Sequence, residues 1–123
     1  MKKTNAHSNN LTRINVGDIS LSINPHTRTI SLKQGDDVIE MTRDQVIGLR
    51  KLKNREFETN VYTAQVFPHN TFKLLPSGIV TVDCKESFNS ASLTLNAIAC
   101  KSIAQFTENN KGRIAWDRDI KRR

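Results

Sequence analysis

Cysteine is scarce in this sequence: Cys84 and Cys100 are the only two, one in a predicted strand and one in a predicted helix. Two thiols make no disulfide scaffold. The ordinary reading is a pair of small buried side chains kept reduced, with a single bridge between them as the alternative. With only His7, His26 and His69 to join them, no zinc-ligand spacing exists. There is no apolar run near the roughly 20 residues of a membrane span. The opening MKKTNAHSNNLTR starts basic with no apolar segment behind it, which does not read as a secretory signal. The expectation is a cytoplasmic or nucleic-acid-associated intracellular protein without membrane attachment. Also missing are a Gly-rich phosphate loop and an activated-nucleophile motif. Glu40, Asp83, His26 and His69 stand at no catalytic spacing. No enzyme is therefore expected, and no metal or organic cofactor.

What is present begins with charge. The 123 residues carry a net +7, and its location says more than its size. Residues 1–13 hold Lys2, Lys3 and Arg13 and no acid. Residues 111–123 hold Lys111, Arg113, Arg118, Lys121, Arg122 and Arg123 against Asp117 and Asp119. Between them, ten bases meet ten acids. Basic ends on a neutral body suit loose attachment to phosphates, because each such contact releases counterions; charged ends also simply keep small proteins soluble. The first 13 residues, rich in Asn, Ser, Thr and Lys, read as a disordered basic arm. Residues 14–110 read as one domain and 111–123 as a basic tail, with Trp116 docking the tail onto the body and base stacking as its alternative role.

The domain is organised by a pattern that occurs twice. From Ile19 to Lys53, apolar and polar residues alternate through two strands turning at Asn24-Pro25. Gln34-Gly35-Asp36-Asp37 makes the next turn, Val38 to Met41 a further strand, and the period becomes helical at Thr42. Ile19, Leu21 and Ile23 share one face with Ile30 and Leu32, and Ser20, Ser22, Ser31 and Lys33 share the other, so the sheet has one buried and one wet side. The helix runs from Arg43 to about Glu56, with Thr42 as N-cap and Val46, Leu49 and Leu52 inward. Gly48 inside it marks close packing against the sheet. From Thr71 to Asn109 the order returns: a strand, a turn at Leu75-Pro76-Ser77-Gly78, the strand Ile79 to Lys85, the strand Ala91 to Leu95, and a helix from Asn96. The copies align at an offset of 51 before the proline turn and 52 after it, which matches Lys33 with Lys85 and Met41-Thr42 with Leu93-Thr94. The predicted fold is α+β: two tandem antiparallel-sheet-then-helix repeats, about 15–57 and 61–109, forming one pseudo-twofold domain. A single irregular α+β fold is the rival.

A unit of about four short strands leading through a Leu-Thr into one helix resembles the single-stranded nucleic acid binders of the PUR-repeat, Whirly and positive-cofactor-four group. Ser90-Ala91-Ser92-Leu93-Thr94-Leu95 is the closest local match, and Val38-Ile39-Glu40-Met41-Thr42 holds the same place in the first copy. The resemblance implies a protein that binds single-stranded nucleic acid, DNA before RNA, in transcription, replication or recombination. It also implies two such units per binding body, as a monomer with internal pseudo-symmetry or a homodimer. The sequence departs from the group in having no aromatic residue from Ile19 to Leu52, although single-strand binders usually stack bases on such rings. The expected contacts are therefore mainly to the phosphate backbone, through Arg28, Lys33, Lys73 and Lys85 on the body and Arg113, Lys121, Arg122 and Arg123 in the tail. Tyr62 and Phe72 are the candidate stacking platforms. The alternative function is a small protein-interaction module that regulates a polymerase or another nucleic-acid enzyme.

Overall fold

In a computed structural model, which describes residues 13–64, 69–85 and 90–120, the repeated pattern becomes two four-stranded antiparallel sheets, each followed by a helix. The first sheet is a meander of β1 (Arg13–Val16), β2 (Ile19–Asn24), β3 (Thr29–Gln34) and β4 (Asp37–Met41), leading into α1 (Arg43–Lys53). The second is β5 (Val61–Thr63), β6 (Asn70–Leu74), β7 (Val80–Lys85) and β8 (Ser90–Leu95), leading into α2 (Ala97–Asn109). A 3-10 turn at Lys111–Arg113 and a short α3 (Asp117–Ile120) complete the described chain.

Strand alternation sorts the two faces as the pattern predicts. Ile19, Leu21, Ile30, Leu32, Ile39 and Met41 are buried, while Ser20, Ser22, Ser31 and Lys33 keep contact with solvent. Two-residue hairpins set the register on both sides of the β2–β3 pair, with Val16 opposite Ile19 and Gln34 opposite Asp37. Gly17 and Gly35 open these turns at φ +62° and +64°, where a side chain would be strained. Between β2 and β3 the Asn24 Oδ1 accepts from the His26 and Thr27 amides, a side-chain mimic of a backbone turn.

Both helices start where a polar side chain can replace the missing backbone acceptor. Thr42 Oγ1 accepts from the Gln45 amide and Asn96 Oδ1 from the Ala99 amide. α1 ends at Lys53, three residues before the expected Glu56; Asn54 caps it and Arg55 turns to φ +60°.

Each helix then crosses to the other unit. α1 packs on β5 and β6, α2 packs on β1 and β2, and the helices pack on each other. Neither sheet closes its core without the partner's helix, so both units share one apolar core. Gly48 of α1 is the closest point of this exchange: a Cβ there would stand 2.6 Å from the Tyr62 ring. The ring is held in a stack, Phe57 on one side at 5.2 Å and Phe72 on the other at 5.4 Å between centroids.

Strand pairing corrects the offset between the copies. Leu21 and Phe72 are equivalent, 51 apart, each facing the third strand at Leu32 and Val82. Ile30 is then equivalent to Val80 and Met41 to Leu95, offsets of 50 and 54 rather than 52. The difference arises because the connection from the third strand to the fourth is longer in the second unit, where Cys84 pairs with Ala91 as Gln34 pairs with Asp37, while Met41 and Leu95 each stand directly before the N-caps Thr42 and Asn96. Lys33 is accordingly equivalent to Asp83, not to Lys85.

Side chains join the sheets where the outer strands β4 and β8 meet. The Gln34 carboxamide accepts from the Thr94 amide at 2.9 Å and donates to the Thr94 carbonyl at 3.0 Å, completing the exposed edge of β8. Asn70 does the converse, donating to the Glu40 carbonyl at 2.8 Å and to Gln45 Oε1 at 2.9 Å. The segment after α2 also belongs to the body. Ile114 and Ala115 are buried, and the Ala115 amide donates to the Arg28 carbonyl while its own carbonyl accepts from the Arg43 amide. Trp116 lies under the Arg43 guanidinium, 4.1 Å from its ring centroid, so the tryptophan docks as the sequence suggested.

Candidate nucleic-acid interface

The wet faces of the two sheets carry the polar and basic side chains that the sequence singled out, and the strand registers give their arrangement. On the first sheet, one row across the strands reads Arg13, Ser22, Ser31, Glu40, and the next reads Asn15, Ser20, Lys33, Val38. Arg13, Asp18, Ser20, Ser22, Ser31 and Lys33 line an open groove of about 430 Å³. Its walls are hydroxyls with a guanidinium and an ammonium beside them, which can donate to phosphate and sugar oxygens, and the Asp18 carboxylate stands at one end. Val38, 46% exposed, supplies an apolar floor.

Glu40 does not open onto this groove as a free base. Its carboxylate accepts from Asn24 Nδ2 at 3.1 Å, Thr27 Oγ1 at 3.2 Å and Thr29 Oγ1 at 2.7 Å, and so ties the β2–β3 turn to β4. Asp18 at the other end accepts from Gln34 Nε2 at 3.3 Å.

The second wet face repeats the geometry with different charges. Its rows read Val61, Lys73, Thr81, Thr94 and Thr63, Thr71, Asp83, Ser92, with Lys85 opposite Ser90 beyond them. Where the first face has Lys33 the second has Asp83, and where the first has Arg13 the second has Val61. Two lysines therefore flank a carboxylate within the rows here, whereas the rows of the first face set two cations among hydroxyls, with its carboxylate, Asp18, at the turn.

Of the expected contacts, Lys33, Lys73 and Lys85 are exposed on these faces. Arg28 is exposed but sits in the β2–β3 turn at φ +61°, at the opposite end of β3 from Lys33. Arg113 is exposed in the 3-10 turn after α2. Lys121, Arg122 and Arg123 lie outside the described residues. The two stacking platforms are corrected: Phe72 is fully buried in the shared core. Tyr62 is half-buried on the same side, clasped between Phe57 and Phe72 beneath Gly48. Strand alternation turns both rings inward, away from the wet face. Burial raises the Tyr62 phenol above its ordinary range, with Asp117 and Asp44 adding to the shift.

Arg13 was missed on the body because composition groups it with the basic arm. Its alternation with Ile14 and Val16, which pack against the core, is the signal that places it on a strand and on the wet side. Val38 and Val61 were readable from the same alternation as apolar residues out of phase with their strands.

No family model, curated protein or solved structure matches this chain. Among the described residues no helix is long and apolar enough to cross a membrane, and no cluster of His, Cys, Asp and Glu could hold a metal ion.

Proposed function

We propose that this protein binds single-stranded nucleic acid, DNA before RNA, without catalysing a reaction, and that the wet face of the first sheet is its main site. The observation that carries the reading is the groove in which Arg13 and Lys33 stand in adjacent rows among Ser20, Ser22 and Ser31. Two cations at the edge of a hydroxyl-lined trough match a strand's phosphates and sugars, which set position rather than sequence. Val38 offers a base one apolar contact in place of an aromatic stack. The trough lies across strands and presents no helix or ribbon to a duplex groove, which favours a single strand. The second face, with Lys73 and Lys85 around Asp83, extends the same path more weakly.

The test is fluorescence anisotropy with a labelled single-stranded DNA, the matching RNA and the matching duplex across a salt series. The full chain is compared with one lacking residues 1–12 and 121–123. Retained affinity for the single strand in the shortened chain, with a log-log salt slope of about −0.7 per phosphate contacted, supports the reading. Binding that vanishes with the ends, or that does not distinguish strand from duplex, removes it.

A further inference from the structure

The groove on the first wet face holds one charge that phosphate contacts leave unused. Asp18 is the single carboxylate among the side chains lining it, and it stands exposed in the turn between β1 and β2. Arg13 and Lys33 share that lining, yet neither pairs with it: among the described residues the one ion pair joins Lys111 to Glu108. Strand register keeps the charges apart. Lys33 is opposite Ser20, two residues along the chain from Asp18, and Arg13 is opposite Ser22, four residues along. At about 3.3 Å per residue the carboxylate lies roughly 7 and 13 Å down the strand from those two rows. Its partner is Gln34 Nε2, 3.3 Å from each carboxylate oxygen. That contact is long beside the 2.9 and 3.0 Å bonds by which the same carboxamide holds Thr94. A carboxylate has about four lone-pair sites, so most of the accepting capacity of Asp18 is unspent.

We infer that Asp18 reads base identity: it accepts from the exocyclic amino group of a base whose phosphate sits at Lys33, and so selects amino-bearing bases against thymine. This role rests on the single-strand reading, to which it adds a base preference. A cationic row and an anionic end that do not neutralise each other match a ligand with phosphate at one point and N–H donors a nucleotide's reach away. Cytosine, adenine and guanine each carry an amino group on the edge used in base pairing, and carboxylates accept from such groups, as Asp and Glu do from cytosine N4. Thymine sets a carbonyl oxygen on each side of its one N–H on that edge, and both oppose a carboxylate. A single strand leaves the edge free, whereas a duplex buries it in pairing.

The test compares two homopolymers that differ only on that edge, fluorescein-labelled oligo-dT and oligo-5-methyl-dC. Each is titrated against the full chain by anisotropy, on the alkaline side of neutral. Expected is tighter binding of the cytosine strand by at least about fivefold, the effect of one hydrogen bond to a charged group discounted for exposure. Asp18→Ala should bring the two affinities together. Asp18→Lys, whose ammonium donates to the thymine O4 carbonyl, should reverse their order. Lys33→Ala, by contrast, should weaken both strands alike and keep their ratio. Equal affinities in a parent that binds both strands would overturn the inference and leave the single-strand reading standing. A ratio unchanged by Asp18→Ala would also overturn it, and equal tightening of both strands in that variant would reduce Asp18 to a charge that repels phosphate. Binding of neither strand would remove both the base preference and the single-strand reading.

Discussion

Gly48 of the first unit and Tyr62 of the second approach so closely that a Cβ on the glycine would lie 2.6 Å from Cε2 and 2.7 Å from Cζ of the ring. Alanine normally gains about 1 kcal/mol over glycine in a helix interior. Overpacking a tight site costs about 1–3 kcal/mol. The second effect wins here, because Phe57 and Phe72 hold the ring from both sides and it cannot swing clear. Gly48→Ala is expected to lower stability by about 1–2 kcal/mol in urea unfolding. The same substitution in a Tyr62→Val background should be neutral or stabilising. Equal effects in both backgrounds would show that the contact is not the cause.

Gln34 acts as a piece of strand. Its carboxamide pairs with both backbone groups of Thr94, on the edge of β8 to which no strand is paired. Net values of about 0.5–1.5 kcal/mol per hydrogen bond, discounted for partial exposure, give an expected loss of about 1–2 kcal/mol for Gln34→Ala. Gln34→Glu should be worse, since it keeps the acceptor for the Thr94 amide but turns an anion toward the Thr94 carbonyl and Asp18. Hydrogen exchange at the Thr94 amide should quicken in both variants. An unchanged rate would mean that the edge is protected by something other than Gln34.

Most of the fold was legible because its signals are local. Alternation in Ile19 to Leu32, glycines at hairpin turns and the caps Thr42 and Asn96 each act over a few residues. The exchange of helices between units was not legible, since α1 has the same inward stripe whichever sheet it covers. Only Gly48 hinted at it, and the glycine says that something approaches without saying what. The site was legible in part for the same reason. Lys33 and Lys73 follow from alternation, but Tyr62 and Phe72 alternate into a core whose other half comes from a distant segment. The equivalence of Lys33 with Asp83 needs the strand register, which the longer β7–β8 connection of the second unit concealed.

Asp117 couples the docked segment to α1. Its carboxylate accepts from the Thr42 hydroxyl, and its amide donates to Asp44 Oδ2 at 2.9 Å. Burial raises its carboxyl above the ordinary range, and Asp44 raises it further against the lowering effect of the Thr42 hydrogen bond. A raised acid favours the folded state most when protonated. This contribution is complete below the ordinary carboxylate range and is lost as pH rises through the folded-state value. Asp117→Asn, which keeps an acceptor for Thr42, should therefore gain stability relative to the parent as pH rises from the acid side towards neutral. Parallel stability curves for the two proteins over that range would contradict the assignment. Thr42→Val should cost about 1–2 kcal/mol on the acid side, where it removes the cap, and more as pH rises, because it also removes the hydrogen bond that favours the ionised Asp117.

The inequality of the two wet faces gives the sharpest test of where a strand lies. If the phosphate path crosses the first face, Arg13→Ala and Lys33→Ala should each weaken single-stranded DNA binding. Each should also make the salt slope shallower by about 0.7, with little change in sequence preference. Asp83 occupies on the second face the place that Lys33 holds on the first, between Thr71 and Ser92 on neighbouring strands. Asp83→Lys exchanges repulsion for attraction at that point, and it should tighten binding and steepen the slope by about one contact's worth. Affinity that falls in the alanine variants and rises in the lysine variant requires one strand to pass over both sheets. If the alanine variants fall and Asp83→Lys has no effect, the strand keeps to the first face. If all three leave binding unchanged, the sheets do not carry it.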